Sequence, residues 1–247
     1  MRYLGGKYYV ARYIAEHING HPGAVFLEPF MGSCWVTVRA NYPCRIVGDL
    51  HNELVTLYQK VVHEGWEPPE YISKEKYDDI RAHKISKYPP ELVAFAGFGS
   101  AFGGSYFRKY AGEIYAGRSR RSILKKAKKL KDVQFFSSDY RDLHPKGCVI
   151  YCDPPYDGCY MYRITRVRGN GSFDSKEFWS IMDKWSEDNL VFISELEAPR
   201  DYECVMEVPI KASVRTKDGC SVRMEKLFRK PADIELLQEK VDVSSIY

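Results

Sequence analysis

Cys148-Val149-Ile150-Tyr151-Cys152-Asp153-Pro154-Pro155-Tyr156 runs from strand-forming residues straight into a carboxylate, two prolines and an aromatic ring. The apolar run predicts a buried strand, and the prolines stop it, so Asp153 to Tyr156 stand beyond its carboxyl end. Pro154 and Pro155 each fix φ and lack an N–H, and Pro155 also keeps Pro154 out of the helical region, so the corner is stiff. It offers acceptors only: the Asp153 carboxylate and the carbonyls of Asp153 and Pro154. A group donating two hydrogens, such as an exocyclic amine, matches two acceptors at once, with the Tyr156 ring available to stack on the heterocycle that carries it. The plain alternative is a structural Pro-Pro turn at a strand end.

Upstream, Val25-Phe26-Leu27 reads as a strand entering Glu28-Pro29-Phe30-Met31-Gly32-Ser33-Cys34, with a helix expected through Arg39. Strand, glycine-bearing turn and helix open a nucleoside-binding βαβ unit. The acid Glu28 in that turn disfavours a pyrophosphate and hence NAD. Arg45 to Gly48 is a second short strand ending at Asp49, placed after the glycine turn where a Rossmann-type site sets an acid on ribose hydroxyls. Strands are also expected at 133–138, ending at Asp139, and at 190–194, ending at Glu195. Ligands of open α/β sheets bind beyond the carboxyl ends of the strands, so acids there call for a ligand that is cationic or rich in donors. Glu195 is read instead as a helix N-cap. In front of a helix over 8–19, Leu4-Gly5-Gly6-Lys7 lacks both the spacing and the preceding strand of a triphosphate loop.

The stretch between the second and third strands has a different character. Helices are expected over 54–62 and 73–85, then a glycine- and aromatic-rich run from Phe95 to Gly117. Arg118, Arg120, Arg121, Lys125, Lys126, Lys128, Lys129 and Lys131 then fall in fourteen positions with no acid, while Ile123, Leu124, Ala127 and Leu130 hold a helical apolar face. A solvated face accounts for many such runs, and an unbroken block of cations also suits phosphates. A second basic and aromatic run, with Arg163 and Arg166, lies at 160–171 and reads as a loop bordering the site. A helix over 172–185, strands over 204–209 and 222–228, and a surface helix from Ala232 complete the chain.

The 247 residues, 45% hydrophobic with net charge +4, suffice for one large α/β domain with an insertion. No stretch has the ~20 apolar residues of a membrane span. The seven cysteines form no CxxC pair and the histidines are scattered, so neither a metal site nor a disulfide framework is expected. These readings point to a reduced, cytoplasmic protein.

Leu4-Gly5-Gly6-Lys7, Leu27 to Ser33, Asp49-Leu50-His51-Asn52-Glu53-Leu54 and Asp153-Pro154-Pro155-Tyr156, in this order, resemble the Dam-type (class alpha) site-specific DNA adenine N6-methyltransferases over residues 2 to 230. The resemblance implies an α/β fold: a Rossmann-like S-adenosylmethionine-dependent methyltransferase sheet with a reversed last strand, over 1–54 and 133–247. It also implies a mainly helical target-recognition insertion over 55–132. By the same resemblance, S-adenosylmethionine, with no metal, would be met by Tyr3, Lys7, Glu28, Pro29, Phe30, Gly32, Ser33, Asp49, Asp139, Tyr140 and Asp153. Asp153, Pro154, Pro155 and Tyr156 would form the catalytic corner. The partner would be double-stranded DNA, its phosphates meeting Arg118, Arg120, Arg121, Lys125, Lys126, Lys128 and Lys129 together with Arg163 and Arg166. A monomer is expected, with a dimer on DNA as the alternative. Cys34 stands where the family has a glycine and His51 where it has an asparagine, departures expected to bear on cofactor affinity. Cytosine N4, an RNA adenine, or an inactive DNA-binding homologue are the alternative readings.

Overall fold

The computed structural model describes residues 1–156, 173–216, 219–231 and 246, with the side chains of 211–223 outside that description. Strands β1 (Val25–Glu28), β2 (Cys44–Asp49), β3 (Val133–Ser137), β4 (Val149–Cys152), β5 (Leu190–Glu195), β6 (Glu203–Thr216) and β7 (Gly219–Arg229) form one sheet in the order β3-β2-β1-β4-β5-β7-β6. The first five run parallel, while β7 lies antiparallel to both β5 and β6. Parallel register, with Glu28 opposite Val47 and Asp49 opposite Ser137, brings the acids that end β1 and β2 to one edge of the sheet. Asp153 follows β4 at the same edge.

Alternation along the central strands packs both faces. Val25, Leu27, Ile150, Cys152 and Ile193 meet Phe178, Met182 and Trp185 of α6 (Ser175–Asp188), and Phe26, Val149, Tyr151 and Phe192 meet Ile14 and Ile18 of α1 (Ala11–Ile18). Cys148 and Cys152 share the α6 side, two free thiols in a buried cluster. The chain between β2 and β3 forms α2 (Asn52–His63), α3 (Lys74–His83), α4 (Pro90–Ala94) and α5 (Ile114–Ala127). Leu54, Tyr77, Val93 and Ile123 of those helices share one hydrophobic cluster with Val47, Val133 and Phe135 of the sheet. The chain between β2 and β3 is thus packed on the sheet through a continuous core.

Two sequence expectations are corrected. The helix expected up to Arg39 is only a 3-10 turn, Thr37–Arg39. Gly32 (φ 42°) and Cys34 (φ 54°) are left-handed, which an α-helix of L-residues does not accommodate. Glu195 caps no helix: its carboxylate accepts the N–H of Leu196 at 2.9 Å, and the following residues are irregular. The expected loop at 160–171, Arg163 and Arg166 within it, and the helix expected from Ala232 lie outside the described residues.

Candidate active site

A cleft of about 610 Å³ opens at the carboxyl edge of the sheet, a volume within the range of small-molecule sites. Glu28, Asp49, Asp139 and Asp153 all line it. So do Tyr3, Lys7, Pro29, Phe30, Gly32, Ser33, Tyr140 and Pro155, so that ends of four parallel strands converge on one space. Pro154 and Tyr156 are not on the lining; Pro154 is buried, and Tyr156 stands half-buried beside it.

The turn after β1 is shaped by Tyr3. A Cβ at Gly32 would sit 3.0 Å from the Tyr3 ring and require a left-handed side-chain-bearing residue, so glycine is needed on both counts. Asp49 grips that turn: its carboxylate accepts the N–H of Gly32 at 3.1 Å and that of His51 at 3.0 Å. Burial pushes its pKa up, and those backbone N–H groups pull part of the rise back. Each carboxylate oxygen retains further acceptor capacity. His51 packs edge-on against Tyr106 and Phe98, with Nδ1 3.2 Å from Glu53.

Glu28 is 3% exposed. It accepts the hydroxyl of Thr37 and its N–H at 3.2 Å, bonds that favour the anion. Burial outweighs them, with the Asp153 charge adding to it, and raises Glu28 to about 8. Elsewhere on the lining, the Phe30 ring lies 5.1 Å from that of Tyr140 and Phe173 stands beside it, with the buried Phe178 packed against all three. Asp139 is engaged by Arg141, at 2.6 Å from Nη2 and 2.9 Å from Nε, so its carboxylate faces a cation already in place.

Gly5, with φ 76°, turns the chain so that Lys7 reaches the corner after β4. Lys7 Nζ lies 2.7 Å from Asp153 Oδ1, 2.9 Å from Glu225 Oε1 and 2.6 Å from the Tyr156 hydroxyl, which in turn donates to Glu225 at 2.6 Å. Burial alone would lower the Lys7 pKa, but Asp153 and Glu225 hold it above the ordinary lysine value, and it stays an ammonium ion. Lys7 therefore joins the corner after β4 as well as the cleft. Glu225, on the reversed strand β7, and Thr37 were not anticipated from sequence.

The basic helix is less uniform than its sequence. Lys126 is 3% exposed, donating to the Ser33 carbonyl and, at 2.6 Å, to the Tyr58 hydroxyl. Burial brings its pKa down to about 8. It supports the turn under the cleft from inside the protein, and its place among surface cations is corrected. Arg120 is held by Glu67, Glu70 and the Pro68 carbonyl. Arg118, Arg121, Lys125, Lys128 and Lys129 are exposed. Arg81, Lys84 and Arg108, which sequence patterning did not single out, line the cleft and are also exposed. Among the described residues no group of three or more His, Cys, Asp or Glu could hold a metal ion, and no helix is long and apolar enough to cross a membrane.

A sheet parallel except for one reversed strand next to its edge, with its acids gathered round a cleft at the carboxyl ends, is the Rossmann-like methyltransferase arrangement. The family model for D12 class N6 adenine-specific DNA methyltransferases matches residues 3–88 and 98–199, and the chain belongs to that family. It is 24% identical over 196 residues to the retron Ec67 DNA adenine methylase of Escherichia coli, covering 65% of this chain and 64% of that protein. It is 26% identical over 206 residues to a DNA adenine methylase of Vibrio cholerae serotype O1, covering 69% and 70%. The chain thus spans less than two thirds of the retron relative's length. Among solved structures, the tRNA (m1A58) methyltransferase TrmI of Aquifex aeolicus overlaps 90% of this chain and 68% of its own at a TM-score of 0.40 and 12% identity, too loosely to build on.

Proposed function

We propose that the protein transfers a methyl group from S-adenosylmethionine to the N6 amino group of adenine in double-stranded DNA. The observation that carries this is the joint lining of one cleft by Asp49 and Asp153, with the Glu28–Ser33 turn between them. The residues suit the cofactor: Asp49 retains acceptor capacity for ribose hydroxyls, the Phe30 and Tyr140 rings offer a wall for a heterocycle, and the acids favour a cationic ligand. When bound, S-adenosylmethionine supplies a methyl already activated on a sulfonium.

The chain's own contribution is alignment. Asp153 and the Pro154 carbonyl accept the two hydrogens of the amine, which turns the nitrogen lone pair, otherwise delocalised into the ring, toward the methyl group. Transfer would form the N–C bond at the expense of the S–C bond of the bound cofactor, which would be left a neutral thioether, and the extra proton would depart from the nitrogen afterwards. The target base must first leave the duplex, at a cost of a few kcal/mol, and stacking on Tyr156 returns about 1–3 kcal/mol of it. Residues 55–132 would serve as the target-recognition insertion, with the exposed cations of α5 and those at the cleft on phosphates.

The direct test incubates the protein with methyl-labelled S-adenosylmethionine and duplex DNA and resolves the nucleosides. Label in N6-methyladenine is the expected result; label in cytosine, in RNA alone, or in neither overturns the reading.

Glu28 provides a pH test. Burial keeps Glu28 protonated below about 8, and a cationic methionine end held over the β1 turn would favour its carboxylate. Binding at neutral pH should therefore release close to one proton, and affinity should fall by about 20- to 30-fold between about pH 7.5 and 6. Calorimetry in buffers of different ionisation enthalpy counts the proton. Glu28→Gln should abolish the release, and a wild-type value of zero would contradict the assignment.

Replacing Lys125, Lys128 and Lys129 together by glutamine should reduce the slope of log affinity for DNA against log salt by about 2 to 3. An unchanged slope would return Lys125, near the end of α5, and Lys128 and Lys129, just beyond it, to an ordinary solvated surface.

A further inference from the structure

Lys7 has three N–H donors and three partners: Asp153 at 2.7 Å, Glu225 at 2.9 Å and the Tyr156 hydroxyl at 2.6 Å. That hydroxyl accepts from Lys7 and donates to Glu225 at 2.6 Å, so its rotor is fixed from both sides. Glu225 is 3% exposed and sits inside β7, where an unpartnered carboxylate would be costly. Asp153 alone would neutralise the ammonium. A second buried carboxylate on the same ammonium therefore does something other than balance charge: it divides the hold of Lys7 between two anions.

We propose that Glu225 is a positioning residue for methyl transfer, holding Lys7 and Tyr156 from the reversed strand so that Asp153 keeps its acceptor strength toward the target amine. The inference rests on the function proposed above. Without the Glu225 carboxylate, the Lys7 charge falls undivided on Asp153 and competes with the amine for its oxygens. The Tyr156 hydroxyl keeps an acceptor when the replacement is glutamine, whose amide oxygen can take the place of the carboxylate oxygen, so the loss falls on Lys7. Glu225 touches neither substrate nor methyl group; it acts through Lys7, which flanks the residue that does. The last strand thereby becomes part of the site, joining residue 7 to residue 225 across the whole chain.

The experiment uses the full chain with a DNA duplex substrate and compares wild type, Glu225→Gln, Lys7→Met and the double variant. Glu225→Gln should lower kcat by about 30- to 100-fold while KM for DNA and cofactor affinity move by less than about threefold. Fluorescence of 2-aminopurine at the target position should still report an unstacked base. In the Lys7→Met background, adding Glu225→Gln should cost less than about threefold more, because the residue acts through Lys7. Losses that multiply fully in that background, or a Glu225→Gln kcat within about twofold of an active wild type, overturn the inference and leave the proposed function standing. A wild type inert toward DNA overturns both. Should Glu225→Gln fail to fold, the double variant carries the test, since it removes the buried ammonium with its partner; a further tenfold loss relative to Lys7→Met would then be decisive against it.

Discussion

Asp153→Ala is expected to lower the rate of methyl transfer to DNA by about 10³- to 10⁴-fold, the upper range for losing a group that manages protons at a reacting atom. The fold should survive. Removing one partner of a buried ion pair ordinarily costs about 3–5 kcal/mol, because the other charge is left alone. Here Lys7 keeps Glu225 at 2.9 Å and the Tyr156 hydroxyl at 2.6 Å, so the ammonium remains partnered. A stability loss nearer 1–2 kcal/mol follows, small enough for a folded and soluble variant. Cofactor affinity should change little, since Asp49 and the β1 turn are untouched. Transfer within about tenfold of wild type would show that the corner after β4 is not where the amine is held.

The second large effect belongs to the other acid. Asp49→Ala should weaken S-adenosylmethionine binding by about 30- to 100-fold, the equivalent of losing hydrogen bonds to a charged acceptor worth roughly 1.5–3 kcal/mol. Part of that loss is indirect, because Asp49 also accepts the N–H groups of Gly32 and His51 and so fixes the turn beneath the cofactor. At saturating cofactor, kcat should return to within about fivefold of wild type. Equilibrium binding together with initial rates separates the two variants: one loses chemistry, the other affinity. An Asp49→Ala protein with normal affinity and a collapsed kcat would break the division of labour between the two ends of the cleft.

What made the fold readable was local. Strand formers cut off by Asp-Pro-Pro, and short strands ending at Glu28 and Asp49, announce a parallel sheet with acids at one edge, because strand propensity and turn chemistry act over a few residues. The left-handed φ of Cys34 was less accessible: a cysteine in that conformation is set by the packed turn around it, and the expected helix did not form. Lys126 illustrates a signal present but not used. It follows Ile123 by three and precedes Leu130 by four, so the helical period already placed it on the buried face. Glu225 left no such trace. It stands among Arg223, Lys226 and Arg229, where an acid looks like an ordinary surface partner. Only the fold, bringing β7 beside the corner after β4, shows that its partner is Lys7, at the other end of the chain.

One cleft has to serve cofactor and target amine together, and a crystal structure with sinefungin, which carries an amine where the cofactor bears its methyl, would show whether it does. The expected result places the ribose hydroxyls within about 3 Å of the Asp49 carboxylate, with the substituting amine facing Asp153. Sinefungin bound elsewhere, or bound in the cleft with that amine turned away from Asp153, would contradict it.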